Sequence, residues 1–159
     1  MTSGFLEKLT RAQRHNLHLI QCSPLTLGTT QTYLNNLKIP SLNIGNALSE
    51  KLSSIKQTKF LNLECQEILH KLIESNAAEV VSGKIKMIAV YNLGILLEPI
   101  LGLNSEKILK ELSKAVSIII IWENTYQAPG ILSWTEQADK YRFDFSDTNL
   151  QRVNINYEI

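Results

Sequence analysis

The stretch LHLIQCSPLTLGTT, residues 17–30, decides how the rest of this chain is interpreted. Its first residues are mostly apolar, and the turn-forming pair Ser23-Pro24 and then Gly28 follow them. The pattern predicts a short buried strand that runs into a turn and then into a helix opening at Gly28. In an α/β protein this is the place for a phosphate-binding loop, because a helix N-terminus presents backbone N–H groups to an anion.

The spacing in this stretch matches the phosphate-binding pattern G-x-x-x-x-G-K-[ST] only in part. That pattern needs glycine for the turn, lysine for the β- and γ-phosphates, and a hydroxyl for Mg²⁺. Ser23 replaces the first glycine and Thr29 replaces the lysine, whereas Gly28 and Thr30 match. The candidate nucleotide-binding residues are therefore Ser23, Pro24, Gly28, Thr29 and Thr30, and they form a degenerate site that lacks its cation.

The composition favours one ordinary domain. The chain has 159 residues, of which 44% are hydrophobic, and a formal net charge of +1. The near-neutral charge gives no general electrostatic argument for binding nucleic acid. Cys22 and Cys65 lack metal-ligand spacing, so no metal site is expected. Because the sequence shows no secretory signal and no apolar run long enough for a bilayer, we expect a cytoplasmic protein without membrane contact.

Apolar runs alternate with helical patterns along the chain and predict its fold. We expect a single domain over residues 1–159, with an N-terminal helix in 1–16, a core in 17–145 and a C-terminal edge strand in 146–159. Strands are predicted at 17–22, 41–45, 85–91, 116–122 and 141–145. The fold class is therefore α/β, a three-layer sandwich with a mainly parallel sheet of five to six strands. Its centre is predicted to hold the three most continuous apolar runs, at 17–22, 85–91 and 116–122.

Ligands in sheets of this kind bind at the carboxyl ends of the strands. The predicted strand ends bring three loops together, at residues 22–30, 91–94 and 122–126. A site for any ligand is expected where these loops meet.

Several segments outside the first loop carry a family resemblance. They are IAVYNLGILLEP at 88–99, LKELS at 109–113, Trp122 followed by WTE at 134–136, and the pair Tyr141-Arg142. On these segments the chain resembles the small P-loop protein of type 3 bacteriophage-exclusion (BREX) systems, the BrxF family. The resemblance implies a P-loop NTPase-like fold and a role in antiviral defence.

The same resemblance implies positions for a metal-binding acid and a sensor residue. At the Walker B-like position, where an aspartate would end the third strand, this chain has Tyr91 with Asn92 beside it. A second expected acid is Gly94. Glu123 or Asn124 takes a sensor-like position, or else lies on a loop surface without a role in binding.

The missing lysine and the two missing acids remove the groups that neutralise and orient phosphates. Glu98 and Glu123 are acids close by in the sequence, but neither stands at the expected strand end. The chain is thus expected to have no catalytic residue and no resident cofactor.

Three functions remain open. The favoured one is a non-hydrolysing, pseudo-NTPase subunit that serves as a binding or assembly component of a bacterial anti-phage defence system. The second is an active NTPase subunit that binds ATP and Mg²⁺ weakly and takes a basic residue from a partner. The third is a nucleic-acid-contacting module that uses Arg11, Arg14, Lys84 and Lys86. A borrowed lysine would still leave the metal acid missing, and the near-neutral charge does not favour DNA.

The expected partners are other proteins of the defence system, with a homo-oligomer also possible. A partner interface is predicted on the segment 122–134, where Tyr126 and Trp134 stand among turn residues, together with residues 95–101. Aromatic side chains on loops are common in interfaces. The alternative is that Trp122 merely ends a buried strand and that 95–101 packs beneath the sheet.

Overall fold

Six strands in the part of the chain that the structure describes form a mainly parallel sheet. The computed structural model describes residues 3–10, 14–55, 60–134, 141–148 and 150–155. In chain order, the helices and strands are α1 (Ser3–Thr10), β1 (Leu17–Gln21), α2 (Leu27–Asn36), β2 (Ser41–Asn43), α3 (Ile44–Leu52), α4 (Leu61–Asn76), β3 (Ala78–Glu79), β4 (Lys86–Tyr91), α5 (Ser105–Leu112), β5 (Val116–Trp122), β6 (Thr125–Gln127), β7 (Ile131–Ser133), β8 (Arg142–Asp144) and β9 (Gln151–Arg152). Between β4 and α5 the chain forms two short 3₁₀ helices, Gly94–Leu97 and Pro99–Leu101.

The parallel strands stand in the order β2-β4-β5-β1-β9. β5 lies between β4 and β1, and its Ile118 is opposite both Ile88 and Leu17. The short β3 pairs antiparallel with the beginning of β4. The three strands predicted for the centre of the sheet are found there, and this part of the prediction is confirmed.

Both faces of the sheet are covered by helices. Ile118 and Ile120 of β5 belong to an apolar cluster that includes residues of α3, α4 and α5. Ile119 and Ile121 belong to a second cluster, which includes residues of α1 and α2. The alternation follows from the pleat, which turns successive side chains to opposite faces, and it explains why every residue of β5 is buried. The predicted α/β class is confirmed, and helices on both faces fit a three-layer sandwich.

The region after β5 differs from the prediction. The segment 122–134 is not an open loop, because β6 and β7 form an antiparallel hairpin. The strand predicted at 141–145 exists as β8, but it pairs with β7 in a separate three-stranded sheet instead of joining the main sheet. Alternating apolar residues indicate a strand without indicating its neighbour, and here the buried Phe143 and Phe145 join the same cluster as Ile118.

The second strand also ends earlier than predicted. It stops at Asn43, whose side chain accepts a hydrogen bond of 2.9 Å from the Asn46 N–H and caps α3. Gly45, predicted to close the strand, lies instead in the first turn of α3. A side-chain cap of this kind satisfies one of the free N–H groups at a helix start.

The predicted C-terminal edge strand is present as β9. It pairs parallel with β1, and the Val153 N–H donates to Leu19 O at 2.8 Å. The last part of the segment predicted for this strand, residues 156–159, lies outside the described residues. In the described chain, no helix combines the length and the apolar character that crossing a membrane requires.

Candidate functional site

The candidate phosphate loop is a tight turn that uses its own hydrogen-bond donors. Directly after β1, the Cys22 N–H donates to Trp122 O at 2.9 Å. The Ser23 N–H donates to Thr26 Oγ1 at 2.9 Å. The Thr26 N–H in turn donates to Ser23 O at 3.0 Å. Side chains of serine and threonine commonly close turns in this way, and the result is a loop bonded to itself.

Pro24 and Leu25 complete this turn. Proline has no N–H, so within residues 22–26 only the Leu25 N–H is outside the hydrogen bonds just described. The Leu25 side chain is 94% exposed and points to no neighbour in the core. A phosphate cradle needs several successive N–H groups directed at one anion, and residues 22–26 do not supply them, which leaves only the N–H groups of the first turn of α2, where the Thr26 cap makes no side-chain hydrogen bond.

The hydroxyl at Thr30 is buried rather than presented to a ligand. Its Oγ1 donates to Thr26 O at 3.0 Å, one turn back along α2, and the residue has no exposed surface. Gly28 and Thr29 are exposed in the first turn of α2. Neither carries a charge, so this turn of the helix offers a nucleotide no cation.

The Walker B-like position serves the packing of the strands. Tyr91 is half-buried at the end of β4, packed against the cluster under α1 and α2. Asn92 follows in the left-handed backbone region, at φ 58°, which asparagine tolerates better than most residues. Its Nδ2 donates to Asn43 Oδ1 at 2.8 Å, and its carbonyl oxygen accepts the Gly45 N–H at 3.0 Å. Asn92 therefore ties the end of β4 to the start of α3.

Gly45 is required by this same contact. A Cβ atom at position 45 would overlap the Asn92 side-chain amide, and Asn92 Cγ would stand only 2.8 Å away. The absence of a side chain lets α3 approach the end of β4. Asn92 is thus fixed from two sides and has little freedom to act as a metal ligand.

The sensor-like residues Glu123 and Asn124 follow β5, between the turn and the β4 end. The Asn124 carbonyl oxygen accepts a hydrogen bond of 3.3 Å from Gln21 Nε2. Burial raises the pKa of the Cys22 thiol, and the charge of Glu123 raises it further, which places this carboxylate close to the turn. The three loops predicted to meet at the sheet edge are therefore neighbours.

A cleft of about 470 Å³ opens between the loops after β4 and β5, and we call it the strand-end cleft. This volume lies in the range typical of small-ligand pockets. Its lining comes from the end of β5, from the loops after β4 and β5, from the first 3₁₀ helix and the residue after it, and from the residues that follow β7 and precede β8: Asn92, Leu93, Gly94, Glu98, Ile121, Trp122, Glu123, Asn124, Trp134 and Tyr141.

One wall of the strand-end cleft is aromatic. The rings of Trp122 and Trp134 are 4.9 Å apart at an angle of 66°, in an edge-to-face arrangement. Trp122 Nε1 donates to Thr125 O at 3.0 Å, which fixes its indole at the turn into β6. Phe143 packs behind both indoles. The wall is thus held by contacts on its far side.

The charge in the strand-end cleft is negative. Glu98 is exposed and Glu123 is half-buried, and the lining within the described residues includes no lysine, arginine or histidine. A nucleotide triphosphate carries several negative charges, so these two carboxylates would repel it. The site suits a cationic or neutral ligand instead.

The structure brings together four of the predicted site residues. Asn92, Glu123, Asn124 and Trp134 all line the strand-end cleft. The remaining predicted residues do not line it: Ser23, Pro24, Gly28, Thr29, Thr30, Tyr91 and Tyr126. The sequence prediction missed Tyr141 and set Glu98 aside, because the paired 3₁₀ helices that carry Glu98 to this edge leave no periodic signal in the sequence.

The two predicted interface residues are both half-buried. Tyr126 and Trp134 pack against the chain's own main cluster, and the Arg152 guanidinium lies 5.5 Å from the centre of the Tyr126 ring. In residues 95–101, Leu96 and Leu101 are buried while Ile100 is 79% exposed. Most of these side chains therefore pack within the protein, as the alternative to an interface predicts. Trp134 and Ile100 keep exposed surface that a partner could contact.

Among the described residues, no group of histidine, cysteine or acidic side chains is arranged to hold a metal ion. In comparisons with protein-family models and with curated proteins, no match to this chain was found.

Proposed function

We propose that this protein is a P-loop-fold subunit that does not hydrolyse nucleotides and acts as a binding or assembly component of a bacterial anti-phage defence system. The observation that carries the proposal is the turn after β1. Its N–H groups at Cys22, Ser23 and Thr26 donate to acceptors of the chain itself, so they are not available to phosphate oxygens.

The fold supports the first half of the proposal. A turn between the first strand and a helix, at the edge of a parallel sheet, is where a nucleotide-binding protein of this type would hold phosphate. The chain keeps that frame without the chemistry, since a threonine stands at the lysine position and Asn92 is bonded to Asn43. Defence against phage comes from the resemblance to the BrxF family and from nothing in the geometry.

A partner-completed NTPase is less well supported by the same contacts. A lysine supplied from outside would add charge, but it would neither release the bonded N–H groups nor turn Thr30 Oγ1 away from Thr26 O. Mg²⁺ would also need a carboxylate, and Tyr91 occupies that position.

The first test is direct. The purified chain is titrated with Mg-ATP, and both thermal stability and phosphate release are measured. A ligand present at a hundred times its Kd stabilises a protein by about 2.7 kcal/mol, which is a shift of several degrees for a chain of this size. We expect no such shift and no hydrolysis. Hydrolysis that is reduced by Thr29→Ala would overturn the proposal.

The second test addresses the defence role. Phage plating is compared between cells that carry the intact gene with its neighbouring genes, a deletion of the gene, and the variant Thr29→Ala. We expect phage to grow on the deletion strain. The strain with Thr29→Ala should exclude phage as well as the strain with the intact gene does. Equal plating with and without the gene would remove the defence role, whatever the outcome with ATP.

A further inference from the structure

The strand-end cleft has a chemistry of its own, independent of the degenerate phosphate loop. It combines an aromatic wall with two carboxylates, and it has no basic residue among its described lining. Neither Glu98 nor Glu123 forms an ion pair or a side-chain hydrogen bond with another described residue. Two carboxylates without a partner among the described residues, in a cleft where Trp134 keeps exposed ring surface, suit a cation.

We propose that the strand-end cleft receives an arginine side chain of a partner protein, an inference that deepens the assembly role proposed above and rests on it for the existence of that partner. The guanidinium group stacks on the half-buried Trp134, which the buried Trp122 supports by an edge-to-face contact, and its N–H groups donate to Glu98 and Glu123.

The shape of the group favours arginine over lysine. A guanidinium is planar and weakly hydrated, stacks on aromatic rings and donates through a rigid fork to carboxylates. An ammonium group is a compact and strongly hydrated charge that uses a flat aromatic wall less well. Cations bind tryptophan best among the aromatic side chains, within about 6 Å of the ring centre. Both tryptophans of the chain line this cleft.

Hydrogen bonds that residues of the cleft lining already form narrow the choice of ligand further. Trp122 Nε1 donates to Thr125 O, and Asn92 Nδ2 donates to Asn43 Oδ1. The Trp122 donor is therefore not available to a ligand, and the Asn92 amide is already engaged by Asn43. The carboxylates of Glu98 and Glu123, in contrast, offer free acceptors among the described residues, which favours a ligand that donates hydrogen bonds.

The surroundings favour a protein as the source of the arginine. Ile100, which is 79% exposed, follows Glu98 by two residues on the second 3₁₀ helix. A small molecule held by Glu98 would leave this apolar side chain in water, whereas a protein surface would cover both. Arginine is also enriched among the residues that anchor protein interfaces.

The test uses the fluorescence of the two tryptophans, which report directly on the cleft. The full chain is titrated with Nα-acetyl-arginine amide, with Nα-acetyl-citrulline amide as a neutral control of the same shape, and with Nα-acetyl-lysine amide. We expect a saturable change in tryptophan emission with arginine, a response at least about fivefold weaker with lysine, and none with citrulline. A citrulline response equal to that of arginine, or an equal response to lysine, would overturn the assignment.

Variants locate the binding. Glu98→Gln and Glu123→Gln each remove one charge at the surface and keep the shape, and we expect each to weaken arginine binding about fivefold. Glu50→Gln, on the exposed side of α3, is the matched control and should leave binding unchanged. Equal binding by all three variants would place the arginine elsewhere on the protein and contradict the proposal.

A last arm separates a protein partner from a free metabolite. An arginine-containing peptide of eight to ten residues with flanking apolar positions is compared with the single amino-acid derivative, and Ile100→Ser is tested with both. We expect the peptide to bind more tightly and to lose that advantage in Ile100→Ser. Tighter binding of the single derivative would replace the partner with a small molecule. None of these outcomes depends on ATP or phage, so this inference and the proposed function can fail separately.

Discussion

The turn after β1 and the strand-end cleft both lie at the carboxyl ends of parallel strands, where sheets of this kind bind their ligands, but they use their polar groups differently. In the turn, the Ser23 N–H and the Thr26 N–H bond within the turn. In the cleft, Glu98 and Glu123 make no such bonds with described residues. A place at the strand ends is therefore not enough for a binding site. Donors or acceptors must also remain after the chain has formed its own hydrogen bonds.

The largest expected effect is a loss of stability at acid pH, and its source lies in β1, the strand that leads to the turn. His18 of β1 is fully buried, and neither ring nitrogen has a hydrogen-bond partner among the described residues. Burial lowers its pKa from 6.5 to about 4, and the backbone of Leu9 opposes that shift only in part. The part of β1 that leads to the turn therefore belongs to the core of the protein.

The sign of the pH effect follows from this lowered pKa. Below about pH 6.5 the unfolded chain binds a proton on His18 that the folded chain excludes until about pH 4. The free energy of unfolding therefore carries no penalty from His18 above pH 6.5. It decreases as the pH falls from about 6.5 to about 4, by about 3 kcal/mol in total. Urea unfolding at pH 7 and pH 4.5 measures the loss.

Two histidine variants isolate the contribution of His18. We expect His18→Leu to remove most of the acid sensitivity, because leucine has no proton to bind and suits the apolar site. His70→Gln is the control, since His70 lies on the surface of α4 beside Glu74. If His18→Leu keeps the full acid sensitivity, the buried histidine is not its source.

A smaller effect is expected from substituting Gly45, which contacts Asn92 of the cleft lining, and it is compared with a substitution of Gly28 after the turn. Gly45→Ala places a Cβ against the Asn92 amide, which must move and break its bond to Asn43. We expect a loss of about 1–3 kcal/mol, as for other overpacked sites. Thermal unfolding should show a decrease of several degrees for a chain of this size.

Gly28→Ala is the matched control at the turn. A Cβ there would have no neighbour within 4 Å, and the residue lies within α2. Alanine should stabilise the helix by about 0.5–1 kcal/mol because it restricts the unfolded chain. An unchanged melting temperature in Gly45→Ala would mean that Asn92 is not held as described, and Asn92 would again become a candidate for binding.

The sequence allowed much of the fold to be predicted, for reasons that lie in particular elements. The run of β-branched residues in β5 can be buried on both faces only at a sheet centre, and that placement is confirmed. β8 was found as a strand but assigned to the wrong sheet, because the hairpin of β6 and β7 that receives it has no distinctive pattern. The strand predicted at 41–45 is too long by Ile44 and Gly45, which lie in α3, although Asn43 before them is a helix-capping signal.

The site was harder to predict than the fold. Ser23 and Thr26 flank a proline, a spacing typical of a turn closed by side-chain oxygens, and this signal argued against an open phosphate loop from the start. Glu98 gave no such signal, because its place in the cleft depends on two consecutive 3₁₀ helices and on Trp134 arriving from the small sheet. The local periodicity of a sequence does not reveal such contacts between elements that are distant along the chain.

The smallest expected effect tests whether the turn itself excludes nucleotides. Thr29→Lys restores the missing cation at an exposed position, and Thr32→Lys adds the same charge one turn away as a control. A single surface charge contributes about 0.2–1 kcal/mol, which strengthens ATP binding by about fivefold at most, so we expect neither single variant to reach the shift of several degrees that saturating Mg-ATP binding would give. In Thr26→Ala combined with Thr29→Lys, the Ser23 N–H loses its acceptor and becomes available to phosphate. We expect any gain in ATP binding only in this double variant. If Thr29→Lys alone shifts by several degrees with Mg-ATP, the missing lysine rather than the closed turn is what separates this site from a working one, and the contrast with the strand-end cleft then reduces to a single side chain.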